Sequence, residues 1–156
     1  MASRRGGAKI SKAAQRRPLH NAEIAAAFEE IADLLEIGGE NPFRIRAYRN
    51  AARTVTGLGT EAADLVARGQ DLADLPGIGT DLAAKIADLA TGGTTPMLED
   101  LRLKFPAGLR ALLAVPALGP KRVALLNRKL RVTNLESLRA AVDGGKLRKL
   151  QGFGPK

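Results

Sequence analysis

The segment at residues 75–81 reads LPGIGTD, and it decides the fold prediction for this chain. Two other segments repeat its pattern: residues 115–121 read VPALGPK and residues 150–156 read LQGFGPK. Each has an apolar residue, a variable one, a small one, another apolar one, a glycine, and then a residue suited to begin a helix. The sequences between them do not match, so we interpret the pattern as one short turn between helices that is used three times.

The pattern of this turn has a physical reason. Glycine is favoured where a tight turn needs a positive φ, and the apolar residue between the small positions is predicted to pack inward. The last glycine lets a ligand approach the backbone, and the amides that begin the next helix attract an anion such as phosphate. Such contacts involve the backbone and not the bases, so the predicted binding is independent of sequence. The alternative is three ordinary turns between helices.

The composition favours an aliphatic, helical protein. Of the 156 residues, 45% are hydrophobic, and the aromatic residues are four Phe and one Tyr. With no Cys and a single His, disulfides, zinc–thiolate sites and most catalytic triads are excluded. No stretch alternates long enough for a strand, and no apolar run is long enough to span a membrane. We predict an all-α, soluble, cytoplasmic monomer.

Helix signals divide the chain into short segments. The apolar positions from Ile24 to Leu35 predict a helix that Asn21 caps and that ends before Gly38. Asn41 and Pro42 signal the start of the next helix. Further helices are predicted over residues 60–69, 80–90, 97–104, 108–114, 120–130 and 137–142.

Charge is distributed unevenly along the chain. The net charge of +9 is the sum of +6 over residues 1–20, −6 over residues 21–90 and +9 over residues 91–156. We predict a disordered basic tail at 1–20, which either attracts phosphate or only aids solubility. Two small helical subdomains are predicted, at 21–93 and 94–156, each built around one turn. The basic balance makes nucleic acid the expected partner.

The repeated turn resembles the helix-hairpin-helix motif of DNA repair and replication proteins. A longer part of the chain is similar to the N-terminal region of bacterial family X, polymerase-β-like, DNA polymerases. The similarity lies in three segments and their order: ENPFRIRAYRNAA at residues 40–52, LPGIG at 75–79 and KI at 85–86. This similarity implies non-sequence-specific binding of gapped or 5′-phosphorylated DNA in base excision repair, and a nucleoid-associated location.

The same resemblance sets a limit on the chemistry of this chain. In that family a palm domain with catalytic aspartates follows the N-terminal region, and nothing here resembles it. We therefore expect no polymerase active site in the chain, although the full-length family is a DNA-directed DNA polymerase. The sequence stops inside the third hairpin copy, as expected of a piece of a longer product or of a standalone derivative.

The resemblance also implies which residues contact DNA. Its phosphate-pocket helix corresponds to residues 44–53, where four arginines occur without an acidic residue; a solvated helix face is the alternative. For Tyr48 the alternatives are stacking and a core position. The predicted set is Arg44, Arg46, Tyr48, Arg49 and Arg53 in that helix, Gly77, Ile78, Gly79, Thr80 and Lys85 at the first hairpin, Ala117, Leu118, Gly119, Lys121 and Arg122 at the second, and Gly152, Gly154 and Lys156 at the third.

Lys85 has two interpretations. In family members with 5′-deoxyribose-phosphate lyase activity a lysine at this position forms a Schiff base, so the resemblance makes Lys85 the candidate nucleophile of a standalone lyase. An amine must be neutral to act as a nucleophile. Asp81 lies four residues before Lys85, a spacing typical of a surface ion pair, so the second interpretation is that Lys85 has a structural role or contacts a phosphate. A protein-interaction module built on the same hairpins is a third function. Lys121 follows the second hairpin at the position equivalent to Asp81 in the first. Because a lysine attracts a phosphate and an aspartate repels it, the second hairpin is predicted to be the better phosphate site.

The family resemblance further implies monovalent cation sites at the hairpins, and no other cofactor is expected. K⁺ or Na⁺ would be held by the backbone carbonyls of Ala73, Leu75 and Ile78 and by those of Leu113, Val115 and Leu118.

Overall fold

A computed structural model describes residues 18–116 and 118–146 of the chain. Within these ranges the chain forms eight α-helices and two short 3₁₀ helices, without a strand, so the all-α prediction is confirmed. The α-helices are α1 Asn21–Ile37, α2 Pro42–Thr56, α3 Ala62–Ala67, α4 Thr80–Gly92, α5 Pro96–Lys104, α6 Ala107–Ala111, α7 Pro120–Leu130 and α8 Leu135–Asp143. The 3₁₀ helices, Leu72–Asp74 and Leu112–Ala114, precede the two hairpins. Most of the predicted basic tail, Ala117 and the third hairpin copy lie outside the described residues.

Side-chain caps begin several of the helices, among them α2 and α8. Asn41 Oδ1 accepts a hydrogen bond from the Phe43 amide at 2.8 Å, so α2 begins as the sequence predicts. A capping box begins α8: Asn134 Oδ1 accepts from the Ser137 amide at 2.7 Å, and Ser137 Oγ accepts from the Asn134 amide at 3.1 Å. These caps satisfy amides that a helix leaves without a partner.

Asn21 does not cap α1, contrary to the prediction. Its side chain is buried and joins the start of α3, where Oδ1 accepts from the Ala62 amide at 2.8 Å and Nδ2 donates to the Thr60 carbonyl at 2.9 Å. The start of α1 is held instead by Glu23, whose carboxylate accepts from the His20 amide at 3.0 Å. The prediction was wrong because the partners of Asn21 lie about forty residues away in the sequence.

Contacts group the chain into two compact units. Among the described residues, unit 1 consists of 18–32 together with 46–99, and unit 2 of 33–45 together with 100–116 and 118–146. Helices α1 and α2 therefore each contribute residues to both units. The subdomain boundary between residues 93 and 94 stays a prediction.

Each unit has its own core. The largest fully buried side chains of unit 1 are Ile24, Phe28, Ile31, Val55, Ile86, Leu89 and Leu98, and the Phe28 ring packs against Tyr48 with the ring centroids 5.8 Å apart. The core cluster of unit 2 consists of Leu34, Ile37, Leu109, Leu112, Val123, Ala124, Leu126, Val132 and Ala141. Gly108 lets α6 approach the segment before α8, because a Cβ there would lie 2.9 Å from the Thr133 carbonyl oxygen.

Candidate nucleic-acid interface

The first hairpin is closed by backbone hydrogen bonds. Leu75 donates its amide to the Leu72 carbonyl at 3.0 Å, and Ile78 donates to the Leu75 carbonyl at 3.1 Å. Gly79 then precedes α4, and its carbonyl accepts from the Ala83 amide at 2.9 Å. Backbone hydrogen bonds therefore hold the turn between the 3₁₀ helix and α4, and no side chain in the described part of the chain forms a hydrogen bond with its two glycines.

The second hairpin has the same hydrogen bonds, each shifted by forty residues. Val115 donates to Leu112 at 3.1 Å, Leu118 donates to Val115 at 3.0 Å, and Val123 donates to the Gly119 carbonyl at 3.0 Å. The repeat seen in the sequence is thus a repeat of backbone structure, although Ala117 lies outside the described residues.

The glycines of the hairpins differ in conformation. Gly77 has a φ of +74°, so the prediction of a positive φ is correct there. Gly79, with φ −86° and ψ −178°, and Gly119, with φ −96° and ψ 177°, are instead extended. A Cβ at Gly79 or at Gly119 would meet nothing within 4 Å. Neither position needs glycine for the fold, and glycine there keeps the outer face of the turn open.

The apolar residues of the turns point inward, as predicted. Ile78 is 4% exposed, and Leu118 is half-buried against the core of unit 2. Because the amides of Ile78 and Leu118 donate within the turns, a phosphate would have to use other amides. Gly79, Thr80, Gly119, Lys121 and Arg122 are exposed at the helix starts, where the first amides of an α-helix have no acceptor within the helix.

The helices that follow the hairpins differ in charge at equivalent positions. Helix α4 has Asp81 in its first turn, whereas α7 has no acidic residue there and presents Lys121 and Arg122. The N-terminus of a helix has a partial positive charge, so cations there are unfavourable until an anion binds. The start of α7 is therefore the more electropositive of the two.

The arginines of α2 have several partners. Arg44 lies 3.6 Å from Glu40, and Arg49 forms an ion pair with Glu29 of α1 at 2.7 Å. Arg53 donates to Asn50 Oδ1 at 2.7 Å, and Arg46 is exposed. The helix therefore presents basic side chains, but the charge of Arg49 is neutralised by its ion pair with Glu29. The spacing of residues in the sequence did not indicate this ion pair.

Tyr48 lies in the core of unit 1. Its side chain is 2% exposed, and its hydroxyl donates to Met97 Sδ at 3.1 Å. A ring that is buried against Phe28 presents no face to a base or sugar. The structure therefore favours the core interpretation of Tyr48 over the stacking interpretation.

Lys85 forms the ion pair that its spacing predicts. Its Nζ lies 2.8 Å from Asp81 Oδ1, and the Lys85 side chain is only 15% exposed whereas Asp81 is 76% exposed. Burial by itself would lower the pKa of Lys85, but the hydrogen bond with Asp81 and the neighbouring Tyr48 hydroxyl together raise the pKa above its ordinary value of 10.5. The amine is therefore held in its charged form, which is the reverse of what a nucleophile needs.

Family models match most of the chain. Residues 19–95 match a helix-hairpin-helix domain, and residues 109–156 match a SAM-like helix-hairpin-helix tandem. The chain therefore contains two helix-hairpin-helix regions. It is 34% identical over 138 residues, 88% of its length, to the DNA polymerase/3′-5′ exonuclease PolX of Bacillus subtilis (strain 168). It spans 24% of the length of that relative. The resemblance to the N-terminal region of family X polymerases is confirmed.

Residues 18–116 and 118–146 offer neither a metal site built from side chains nor a membrane span. No group of three or more His, Asp or Glu side chains there could hold a metal ion. No helix in these ranges is both long and apolar enough to cross a membrane.

Sequence reasoning missed three features near the candidate interface. These are Glu29 as the partner of Arg49, Met97 as the partner of Tyr48, and the exposed cations Arg128, Lys129 and Arg131 at the end of α7. The first two lie 20 and 49 residues from their partners, so no spacing rule indicates them. The basic run near residue 130 is visible in the sequence and was a signal for the third.

Proposed function

We propose that this chain binds the sugar–phosphate backbone of DNA without sequence specificity, as the N-terminal part of a family X repair polymerase. The observation that supports this most is the pair of hairpins with the same backbone hydrogen bonds, each followed by an exposed helix start. Backbone amides and cations recognise phosphate groups, which are the same at every base pair.

The two hairpins are proposed to contribute unequally. Lys121 and Arg122 at the second hairpin attract phosphate, whereas Asp81 at the first hairpin repels it and pairs with Lys85. Residues 91–156 have a net charge of +9, and residues 21–90 of −6. We therefore expect most of the affinity for intact duplex to come from the second hairpin.

The preference for gaps and 5′-phosphate ends is proposed from α2. This helix has no acidic residue in its first turn and presents Arg44, Arg46 and Arg53 as exposed side chains. A terminal phosphate has more negative charge and fewer covalent neighbours than a phosphate within a strand, so cations on one helix favour it. Binding of chromosomal DNA would make the protein cytoplasmic and nucleoid-associated; its monomeric state also stays a prediction.

The alternative functions have less support. A lyase that uses Lys85 needs a neutral amine, and the ion pair with Asp81 opposes this. A module that only binds proteins would not need the basic charge of residues 91–156. The lyase stays an activity to be tested.

The hairpins are also proposed as weak sites for K⁺ or Na⁺. Leu75 and Val115 each accept one amide hydrogen bond, and a carbonyl oxygen has a second lone pair for a cation. The other carbonyls of these sets are those of Ala73, Ile78, Leu113 and Leu118. A cation held there would add positive charge next to the exposed helix starts.

The experiment is a fluorescence anisotropy titration of the whole chain. It uses two intact duplexes of equal length and unrelated sequence, and one gapped duplex with a 5′-phosphate. We expect equal affinity for the intact duplexes within a few-fold and tighter binding of the gapped one. The logarithm of the affinity should fall with the logarithm of salt concentration, with a slope of about −0.9 per phosphate contacted.

The controls separate the parts of this proposal. A gapped duplex without the 5′-phosphate tests whether the end group matters. Strong preference for one sequence, or affinity that does not change with salt, contradicts backbone binding. Equal affinity for gapped and intact DNA would leave duplex binding in place and refute the preference for ends.

A further inference from the structure

Arg131 has an unusual backbone conformation. It follows α7 with φ 56° and ψ 35°, and within residues 18–116 and 118–146 it is the one non-glycine residue with a positive φ. Side chains on L-residues disfavour this left-handed region, whereas glycine adopts it freely. The other residues that follow helices in this conformation are Gly39, Gly69, Gly93 and Gly145. Wherever a described helix is followed by a residue with a positive φ, that residue is therefore glycine, except at Arg131.

The residue that follows Arg131 is fixed in the core of unit 2, so the chain must change direction at Arg131. Val132, the next residue, is 1% exposed in the core of unit 2. Its amide donates to the Leu126 carbonyl at 3.2 Å, and its carbonyl accepts from Asn127 Nδ2 at 3.1 Å. A left-handed residue after the helix is a common way for the chain to reverse into such a position, and glycine adopts that conformation with less strain.

The arginine side chain must therefore contribute something that the fold does not need. Arg131 is exposed, and no described residue forms a hydrogen bond or ion pair with its side chain. Arg128 and Lys129 are exposed in the last turn of the same helix. Cations near a helix C-terminus stabilise it, but these two already provide that effect without any backbone strain.

We infer that Arg131 contacts a phosphate of the DNA backbone and that it is retained there despite the strain. With Arg128 and Lys129 it forms a basic cluster at the end of α7 that lies opposite the second hairpin. Helix α7 has eleven residues, so the two ends are about 16 Å apart. The cluster would thus bind phosphates other than those at the hairpin. This inference rests on the proposed function.

The test compares stability and DNA binding in the full chain with Arg131→Gly. We expect the melting temperature to rise by about 3 °C, because the strain is removed. We expect the affinity for an intact duplex to fall about threefold, and the slope of log affinity against log salt to become shallower by about 0.9. Arg131→Lys keeps the charge and the strain, so it should match the wild type in both measurements.

Arg68→Gly is the matched control. Arg68 is also exposed at the end of a helix, but its φ is −82° and it lies in the stretch of residues 21–90, whose net charge is −6. The same loss of charge there should leave the affinity and the salt slope unchanged and should not raise the melting temperature.

The outcomes distinguish this inference from the proposed function. If Arg131→Gly is more stable but binds DNA as the wild type does, the inference is wrong and the proposed function stands. If Arg131→Gly is less stable, the side chain has a structural role and the inference is also wrong. If the wild type itself does not bind duplex DNA, the proposed function is wrong, and the inference that rests on it is wrong as well.

Discussion

The chemistry of Lys85 depends on one neighbouring carboxylate. Burial to 15% exposure favours the neutral amine, but the contact with Asp81 at 2.8 Å favours the charged one, and the pKa of Lys85 is raised overall. Because the folded pKa lies above 10.5, the stability from this ion pair is fully present below pH 10.5. It is lost as the pH rises through the folded pKa of Lys85.

At this residue we predict that Asp81→Asn lowers the pKa of Lys85, since the charge and the strongest hydrogen bond that raise it are removed. The measurement is an NMR titration of the Lys85 side-chain carbon next to the amine, in the wild type and in the variant. Borohydride trapping on DNA with a 5′-deoxyribose phosphate should be weak in the wild type and stronger in Asp81→Asn. Lys85→Arg is the control, because it keeps the charge and cannot form an imine.

Two outcomes would contradict this account of Lys85. An unchanged Lys85 pKa in Asp81→Asn would mean that the ion pair does not set it. Strong trapping by the wild type that is lost in Lys85→Arg would establish the lyase that the structure disfavours.

At the scale of elements, the two hairpins share a backbone and differ in charge. Gly79 and Gly119 have the same extended conformation, and neither has a neighbour within 4 Å of where a Cβ would lie. A side chain at either position therefore extends into the space where DNA is proposed to approach. The fold does not resist such a change, so its effect on binding can be measured separately.

We predict that Gly119→Val weakens binding of intact duplex more than Gly79→Val does. The second hairpin has Lys121 and Arg122, whereas Asp81 already weakens phosphate binding at the first. Gly79→Val should mainly reduce the preference for a 5′-phosphate end. Anisotropy titrations with intact and gapped duplex measure both effects, and circular dichroism checks that both variants are folded. Equal losses for both variants on both DNAs would refute the division between hairpins.

At the scale of the whole molecule, the two units are not consecutive in sequence. Residues 33–45 group with unit 2, and Leu34 and Ile37 belong to its core cluster with Leu112 and Val123. Burying a side chain of this size contributes about 1.5–3 kcal/mol, a large part of the stability of a small unit. Unit 2 therefore needs residues 33–45, which lie in the sequence between the two stretches of unit 1, to complete its core.

We predict that a fragment of residues 94–156 is less helical than the same residues in the full chain and melts without a cooperative transition. It lacks Leu34 and Ile37, so its core is incomplete. A fragment of residues 1–99 contains all of unit 1 and serves as the control, with a cooperative melt expected. Circular dichroism against temperature measures both. A cooperative melt of 94–156 at the temperature of the full chain would show that residues 33–45 are dispensable.

The sequence by itself determined the all-α fold, most helix boundaries and the positions of the two described hairpins. These features depend on residues close together in the chain. Asn41 caps the helix directly after it, and the apolar residue of each turn lies between two small ones, so local spacing contains the information. The ion pair of Lys85 with Asp81 was predictable for the same reason, since four residues make one helical turn.

The tertiary structure alone decided which distant residues meet. It placed Tyr48 in the core beside Phe28, paired Arg49 with Glu29, and turned Asn21 toward the start of α3. It also set a left-handed backbone at Arg131, where the sequence has no glycine to indicate it. Periodicity and capping rules describe neighbours within a few residues, whereas these contacts depend on how complete helices pack, and packing brings together residues far apart in the chain.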